Sequence, residues 1–454
     1  MKTRFLTFML LLCASVCASH AQKLEGSWTG KLSVQGVQLT IVFHVEKDKN
    51  SGFIGTMDSP DQSVKGVPAT VNSLTADSVD IVISSIGARY LGKQQGDNIQ
   101  GTFTQFGRTF PLMLNCGVEE LKRPQTPHAP YPYQTEDVTF QNAKANAVFS
   151  GTLTYPVGYE QMNKQKVPVV LMVTGSGQEN RNEEIFDHQP FLVLADYLAR
   201  HGIASLRYDD RGFAKSTGDA SQSTMKDIAE DARCGFNYLK GLKKFGKIGV
   251  MGHSEGGSIA MMLAAEGLPD FIVSLAGMAE RGDSLMLRQV YQAMEARGGA
   301  SFARDYCKVL GAIYAYRNAK KDISHPEAVL DSLLKQTNVS LPALSRQSLL
   351  PVITMQIPWF LDFIATDMAC YLPKIKCPVM AVNGSKDVQV AAHDNLSALR
   401  KGLKPNKKNL IKEYEGLNHL FQHCTTGQTT EYRLIEETFA PEVMQDIVDW
   451  IKAL

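Results

Sequence analysis

The sequence is short of the features that mark several common functions. It has no charge imbalance to speak of: 47 basic against 46 acidic residues leave a formal net charge of +1, with no basic tail or acidic block. Nothing therefore points to nucleic acid or to an anionic membrane surface as a partner. No CxxC pair and no HExxH motif occurs, so neither a metal nor a cofactor is called for. After the first two dozen residues no apolar run is long enough to span a bilayer, so no stable membrane insertion is expected. Cysteine is sparse and irregularly spaced. Of the eight, Cys13 and Cys17 fall in the leader, and Cys116, Cys234, Cys307, Cys370, Cys377 and Cys424 remain. Only Cys370 and Cys377 are near enough in sequence to suggest a local pair, and a chain of 454 residues does not need such staples to fold. A small, uncharged molecule suits this composition best as a partner. Oligomeric state is not legible.

What is present begins with an export signal. Lys2 and Arg4 precede the apolar run Phe5 to Val16, and Ser19-His20-Ala21 offers small residues for cleavage before Gln22. The expectation is a signal peptide over 1–21 and an exported protein, periplasmic or secreted. Lipid anchoring is a poorer fit, because Leu12 and Val16 precede the two leader cysteines where small residues would be needed.

Residues 22–118 read as a small all-β domain, a barrel or a sandwich. Short alternating runs such as Leu39 to Phe43 and Val79 to Ile83 are separated by turn residues such as Asp48 to Gly52. No convergent set of reactive side chains stands out there, which makes it a structural or substrate-guiding module. Pro124, Pro127, Pro130 and Pro132 mark residues 119–136 as a linker.

From about 137 to 454 strands and helices alternate. Val167 to Val173, Gly202 to Tyr208, Lys247 to Met251, Phe271 to Ala276, Val379 to Val382 and Leu410 to Tyr414 are the strands. Helical patterns lie between them, one with Phe191, Leu194, Ala195 and Leu198 on a single face. This predicts an α/β domain, a mostly parallel sheet with helices on both faces, whose reactive groups sit past the carboxyl ends of the strands. About a hundred residues break the rhythm. Leu285 to Ala296, Phe302 to Arg317 and Pro326 to Gln336 have helical spacing, and the insertion, about 278–374, is expected to form a lid over the strand ends.

Gly252-His253-Ser254-Glu255-Gly256 follows a strand and precedes a helix. That is G-x-S-x-G in the context of a nucleophile elbow, where a sharp turn presents the serine hydroxyl at the sheet edge. A serine hydroxyl needs a base, and the base an orienting carboxylate. Asp387 follows the strand at Val379 and His419 follows the last strand, in the chain order this fold requires. His393, Asp394 and His423 are rivals less well placed. Two backbone N–H groups should bind the oxyanion: that of Glu255, and that of Ser176, with Gly177 next, in Thr174-Gly175-Ser176-Gly177. Glu255 itself either faces the pocket or is a solvated acid at a helix start. Tyr208-Asp209-Asp210-Arg211-Gly212 is read first as a buried structural ion pair.

These segments, with Leu24-Glu25-Gly26-Ser27-Trp28-Thr29-Gly30 and Met57 to Gln62 of the β domain, resemble the secreted bacterial two-domain carboxylesterases of the α/β-hydrolase superfamily. The resemblance spans nearly the whole mature chain. It implies the α/β-hydrolase fold and hydrolysis of small-molecule esters, with short acyl chains and with Ser254, Asp387 and His419 as the triad. Two departures stand out. Thr174 occupies a position where many relatives have histidine, and Ala214 one where glycine is frequent. An exported serine peptidase and an acyltransferase would use the same triad. A binding protein on a dead hydrolase scaffold is disfavoured by the intact serine, aspartate and histidine.

Overall fold

The computed structural model describes residues 24–34, 37–48, 52–62, 64–117 and 121–454. The predicted signal peptide, 1–21, lies outside the described residues. The chain divides into two compact units, one up to Leu121 and one from Lys122 to Leu454.

The first unit is a closed barrel of eight antiparallel strands: β1 (Gly26–Val34), β2 (Val37–Asp48), β3 (Gly52–Ser59), β4 (Val64–Thr75), β5 (Ser78–Ile83), β6 (Ala88–Gln95), β7 (Asn98–Gln105) and β8 (Arg108–Cys116). Each strand pairs with the next, and β1 pairs with β8 at Thr29 and Asn115, which decides between barrel and sandwich. Alternation in the sequence becomes inside and outside. Trp28, Phe43, Val45, Ile81, Tyr90 and Leu114 fill the interior. Tyr90 keeps its hydroxyl satisfied there by donating to the carbonyls of Ile99 and Leu112.

The second unit is an eight-stranded sheet in the order β16-β15-β14-β13-β11-β12-β10-β9. Its six parallel strands are those expected: β11 (Val169–Val173), β12 (Ala204–Tyr208), β13 (Ile248–His253), β14 (Phe271–Leu275), β15 (Val379–Gly384) and β16 (Leu410–Tyr414). An antiparallel hairpin, β9 (Thr135–Asn142) and β10 (Ala147–Thr154), adds an edge that the sequence reading had not resolved. Its buried residues alternate with exposed polar ones, and Phe140 stacks on Phe149 at 5.0 Å.

The central strands are buried on both faces. From β11, Val169, Leu171 and Val173 meet α2 (Met225–Leu242) and α3 (Glu255–Ala265), while Val170 and Met172 meet α1 (Pro190–Arg200) and the C-terminal helix Pro441–Lys452. Phe191, Leu194, Ala195 and Leu198 form the buried face of α1, as their spacing predicts. Thr224 and Asp227 start α2 with a reciprocal capping box.

The proline-rich segment forms no helix or strand between Leu121 and Gln134, yet it is not a free tether. The Arg123 guanidinium donates to the carbonyls of Asp187, Arg433 and Ile435. Gln125 bonds the backbone of Thr438 and Phe439. These two side chains stitch the stretch onto the second unit, so a linker reading that extends to residue 136 is too long.

The insertion is helical throughout. It comprises α4 (Gly282–Asn318), α5 (Pro326–Thr337), α6 (Ala343–Thr354) and α7 (Pro358–Ala365). The two predicted helices at 285–296 and 302–317 are halves of α4, which breaks at Gly299, where φ is 80° and ψ 166°. The lid has its own small core, with Val309 and Ile313 against Leu330, Leu349, Ile353 and Phe360. Among the described residues no single helix is long and apolar enough to cross a membrane, although α6 and α7, bent by 95°, reach the necessary length and composition together. The six cysteines among the described residues are free thiols, Cys370 and Cys377 among them.

Phe43 is fully buried in the barrel. Phe43→Ala is expected to cost about 3–5 kcal/mol of barrel stability. Urea denaturation followed through Trp28, the one tryptophan of that unit, checks it; an unshifted midpoint would mean that the barrel interior is not load-sharing in the way described.

Candidate active site

The elbow is built by space as much as by sequence. β13 ends at His253, and Ser254 takes φ 52° and ψ −117°, an unfavourable backbone conformation for a residue with a side chain. The turn closes so tightly that a Cβ on Gly252 would lie 2.0 Å from the Gly256 carbonyl oxygen, and one on Gly256 2.1 Å from that of Val173. Only glycine fits at either position, which is the physical content of the G-x-S-x-G spacing.

Asp387 and His419 leave the carboxyl ends of β15 and β16. His419 Nδ1 and Asp387 Oδ2 are 2.8 Å apart and both side chains are buried. The other carboxylate oxygen, Oδ1, accepts the backbone N–H groups of Gln389 and Val390, each at 2.8 Å. The carboxylate is thereby fixed in orientation, and it holds the imidazole with Nδ1 protonated and Nε2 free to act as a base. Next to His419, Asn418 is fully buried and accepts the N–H groups of Leu420 and Gln422, which shapes the loop. The rivals stand elsewhere. His393 is exposed beside Asp394, and His423 pairs with Glu437 and Glu442 at the surface.

Ser254, His419, Glu255 and Ser176 line one cavity of about 290 Å³, with Met286, Trp359 and Phe363 contributed by the lid. Glu255 opens α3, so its N–H has no carbonyl one turn earlier in the helix to bind. Ser176 follows β11 on the same side. Gly177 lines a neighbouring cavity of about 770 Å³ instead, which makes Ser176 the better placed of the two as a second donor. Gly175, Ser176 and Trp359 border both cavities.

Sequence reasoning assigned no role to the residues that hold these parts together. His253 Nδ1 is 2.8 Å from Glu183 Oε1, and its Nε2 is 3.0 Å from the backbone oxygen of His419. Both partners accept, so both ring nitrogens carry hydrogen and the buried imidazole is a cation. Burial opposes that charge, but the Glu183 carboxylate outweighs it and holds the imidazole above its ordinary value. Glu183 Oε1 also accepts the N–H of Gly175 in the loop after β11, at 3.2 Å. Glu183 lies in a left-handed conformation, φ 53°, that no sequence pattern announces.

Glu255 is not a solvated acid. It is 3% exposed, and its Oε1 accepts the Trp359 indole N–H at 2.8 Å. Burial pushes its carboxyl up to about 7, against the pull of its bonds with Trp359 and Ser176. In the Tyr208 to Gly212 stretch, Asp209 pairs with Arg181 and Arg211 with Asp231, both at 2.7 Å. Asp210 behaves differently. It accepts the Thr174 hydroxyl at 3.0 Å and the Glu179 N–H at 2.8 Å, and burial pushes it up to about 7. Thr174 thus acts as a donor to Asp210. Ala214 lies at φ 47°, which explains why glycine would be at ease there.

The family model named Hydrolase_4, described as serine aminopeptidase, S33, matches residues 188–423, just over half of the chain. The chain belongs to this family. It is an α/β-hydrolase, and the matched region of this hydrolase contains Ser254, Asp387 and His419 but neither Glu183 nor the loop after β11. Esterase EstD of Thermotoga maritima is 24% identical over 323 residues, covering 71% of this chain and 68% of that protein. Among solved structures, an esterase of Pyrococcus furiosus aligns with a TM-score of 0.44 and 14% identity over 74% of this chain and 98% of its own. The esterase Est1E from Butyrivibrio proteoclasticus aligns with a TM-score of 0.40 and 13% identity over 69% and 97%.

The buried Glu255 makes a pH-dependent contribution whose sign is fixed. Its folded value lies above the ordinary 4.5, so the stability it adds is full below about pH 4.5 and is lost as pH rises through about 7. Relative to wild type, Glu255→Gln is therefore expected to gain about 2 kcal/mol between pH 5 and pH 8. Urea denaturation at the two pH values checks this, and an equal difference at both would count against it.

Proposed function

We propose that this hydrolase cleaves carboxylic esters through an acyl-enzyme on Ser254. One observation carries the reading: His419, buried and 2.8 Å from the Asp387 carboxylate, borders the same small cavity as a serine held on a strained elbow. In this scheme His419 Nε2 takes the Ser254 proton as the hydroxyl attacks the ester carbonyl. Asp387 keeps the imidazole in the required tautomer and stabilises the imidazolium. The N–H groups of Glu255 and Ser176 receive the oxyanion. His419 then protonates the leaving alcohol, and water, activated by the same histidine, releases the acid. No cofactor enters the scheme. The name of the Thermotoga relative supports esters as the substrate class, and a cavity of about 290 Å³ favours short acyl chains. The adjoining cavity of about 770 Å³, reached past Ser176 and Trp359, is suited to the larger part of the substrate.

A peptidase reading competes, because the family description names serine aminopeptidases and the same triad would serve. Hydrolysis of p-nitrophenyl acetate, butyrate and octanoate beside a panel of aminoacyl p-nitroanilides separates the two. Ester turnover is expected to dominate and to fall with the octanoate. Ser254→Ala should lower kcat by roughly 10⁴ to 10⁶ and abolish labelling by a fluorophosphonate, and Asp387→Asn should lower kcat by about 10⁴. Anilide turnover exceeding that of the esters would reassign the substrate class while leaving the machinery in place.

A further inference from the structure

The walls of the triad cavity carry acid that the ester mechanism does not use. Glu179 and Glu255 both line it, and each has one carboxyl oxygen, Oε2, that is buried without a hydrogen-bond partner. Asp210 lies behind Glu179 and is bound only by neutral donors, the Thr174 hydroxyl and the Glu179 N–H. Among the described residues no lysine or arginine pairs with Glu179, Asp210 or Glu255. The one buried cation alongside, His253, is committed to Glu183 and to the carbonyl of His419. Elsewhere in the same unit the chain does supply partners to buried acids, as Arg181 does for Asp209 and Arg211 for Asp231. The uncompensated acids are thus concentrated beside Ser254.

We propose that the Glu179 and Glu255 carboxyls form a subsite for a protonated amine carried by the substrate close to its scissile carbonyl. The proposal rests on the ester reading and names its substrate class. An apolar substrate would leave both Oε2 atoms buried and unpaired. A hydroxyl offers one donor and no charge. An ammonium offers three donors and a full positive charge to a cavity whose wall carries Glu179 and Glu255 with no lysine or arginine paired to either, so it suits both carboxyls. The acids are prepared for such a change. Burial, reinforced by Glu183, Asp210 and Glu255, holds Glu179 well above the usual carboxylate range, and burial does the same to Glu255. A cation beside them favours the ionised form of both carboxyls. Glu255 directly follows the nucleophile in sequence, which places the subsite next to the reacting carbonyl whichever half of the ester carries the amine.

Two isosteric comparisons test this with the purified mature chain. On the acyl side, p-nitrophenyl 3-aminopropanoate is compared with the butyrate and with the 3-hydroxypropanoate. On the alcohol side, 2-(dimethylamino)ethyl butyrate, whose ammonium brings the full charge and one N–H, is compared with 3-methylbutyl butyrate. The expected result is a kcat/KM at least about tenfold higher for the ammonium member of one set. That ratio should collapse toward one in Glu255→Gln and in Glu179→Gln. Because the ratio is taken within each variant, a general loss of activity does not disturb it, and either variant suffices if the other fails to fold. Isothermal titration with propylammonium chloride against propanol needs no turnover and keeps the two readings apart. Saturable propylammonium binding that vanishes in Glu255→Gln, with every ester inert, would sink the ester reading and support the subsite. Ester turnover without any ammonium preference, a preference that survives both substitutions, or one matched by the hydroxyl ester would overturn the subsite.

Discussion

The buried pair between His253 and Glu183 is the contact on which the rest of the site depends. Three segments far apart in the chain must meet within a fraction of an ångström: the elbow, the loop that carries His419, and the loop that follows β11. His253 belongs to the first, bonds the backbone of the second, and through Glu183 reaches Gly175 in the third. Reactive geometry tolerates little error, and a misplacement of about 1 Å can cost two orders of magnitude. A charged pair at the centre of the three loops resists such drift in a way that apolar packing does not, since separating its members leaves a charge stranded in the interior. The same contact sets the charge of His253 without help from solvent.

Around that contact the sheet does the coarse positioning and the loops the fine. The carboxyl ends of β11, β13, β15 and β16 point to one edge, so residues spread from 174 to 419 arrive on a common side. Electrostatics then divides the neighbourhood into two kinds of acid. Asp209 and Asp231 are neutralised by arginine and serve the scaffold. Glu255 is buried, and Glu179 and Asp210 half-buried, without a counter-ion, an arrangement that weakens the fold at neutral pH. Scaffold acids and pocket acids lie within a few residues of one another, as Asp209 and Asp210 do, on opposite sides of the same strand end.

Much of the architecture was legible in the chain. The inner strands such as β11 are near-continuous apolar runs, because burial on both faces leaves no room for polar alternation, and the barrel strands alternate because only one face is dry. The β9–β10 hairpin escaped because half of its residues are polar and its partner lies at a sheet edge. The elbow was legible because crowding at Gly252 and Gly256 forces a spacing that few other structures need, and chain order then singled out Asp387 and His419. Glu183 and Glu179 were not legible. Their importance arises from a left-handed turn and from burial, and neither leaves a periodicity to read. The anchoring of the proline-rich stretch through Arg123 and Gln125 was not legible for a related reason: it depends on which neighbour a loop leans against.

Trp359 reaches the site from the last helix of the lid and borders both cavities. The partition between the two compartments is therefore shared between an inserted element and the loop after β11, whose Gly175 and Ser176 border both as well. A smaller side chain at that one position would open the lid side of that partition. Substrate size in this hydrolase can thus drift over generations by changes in the insertion while the catalytic geometry stays under separate constraint.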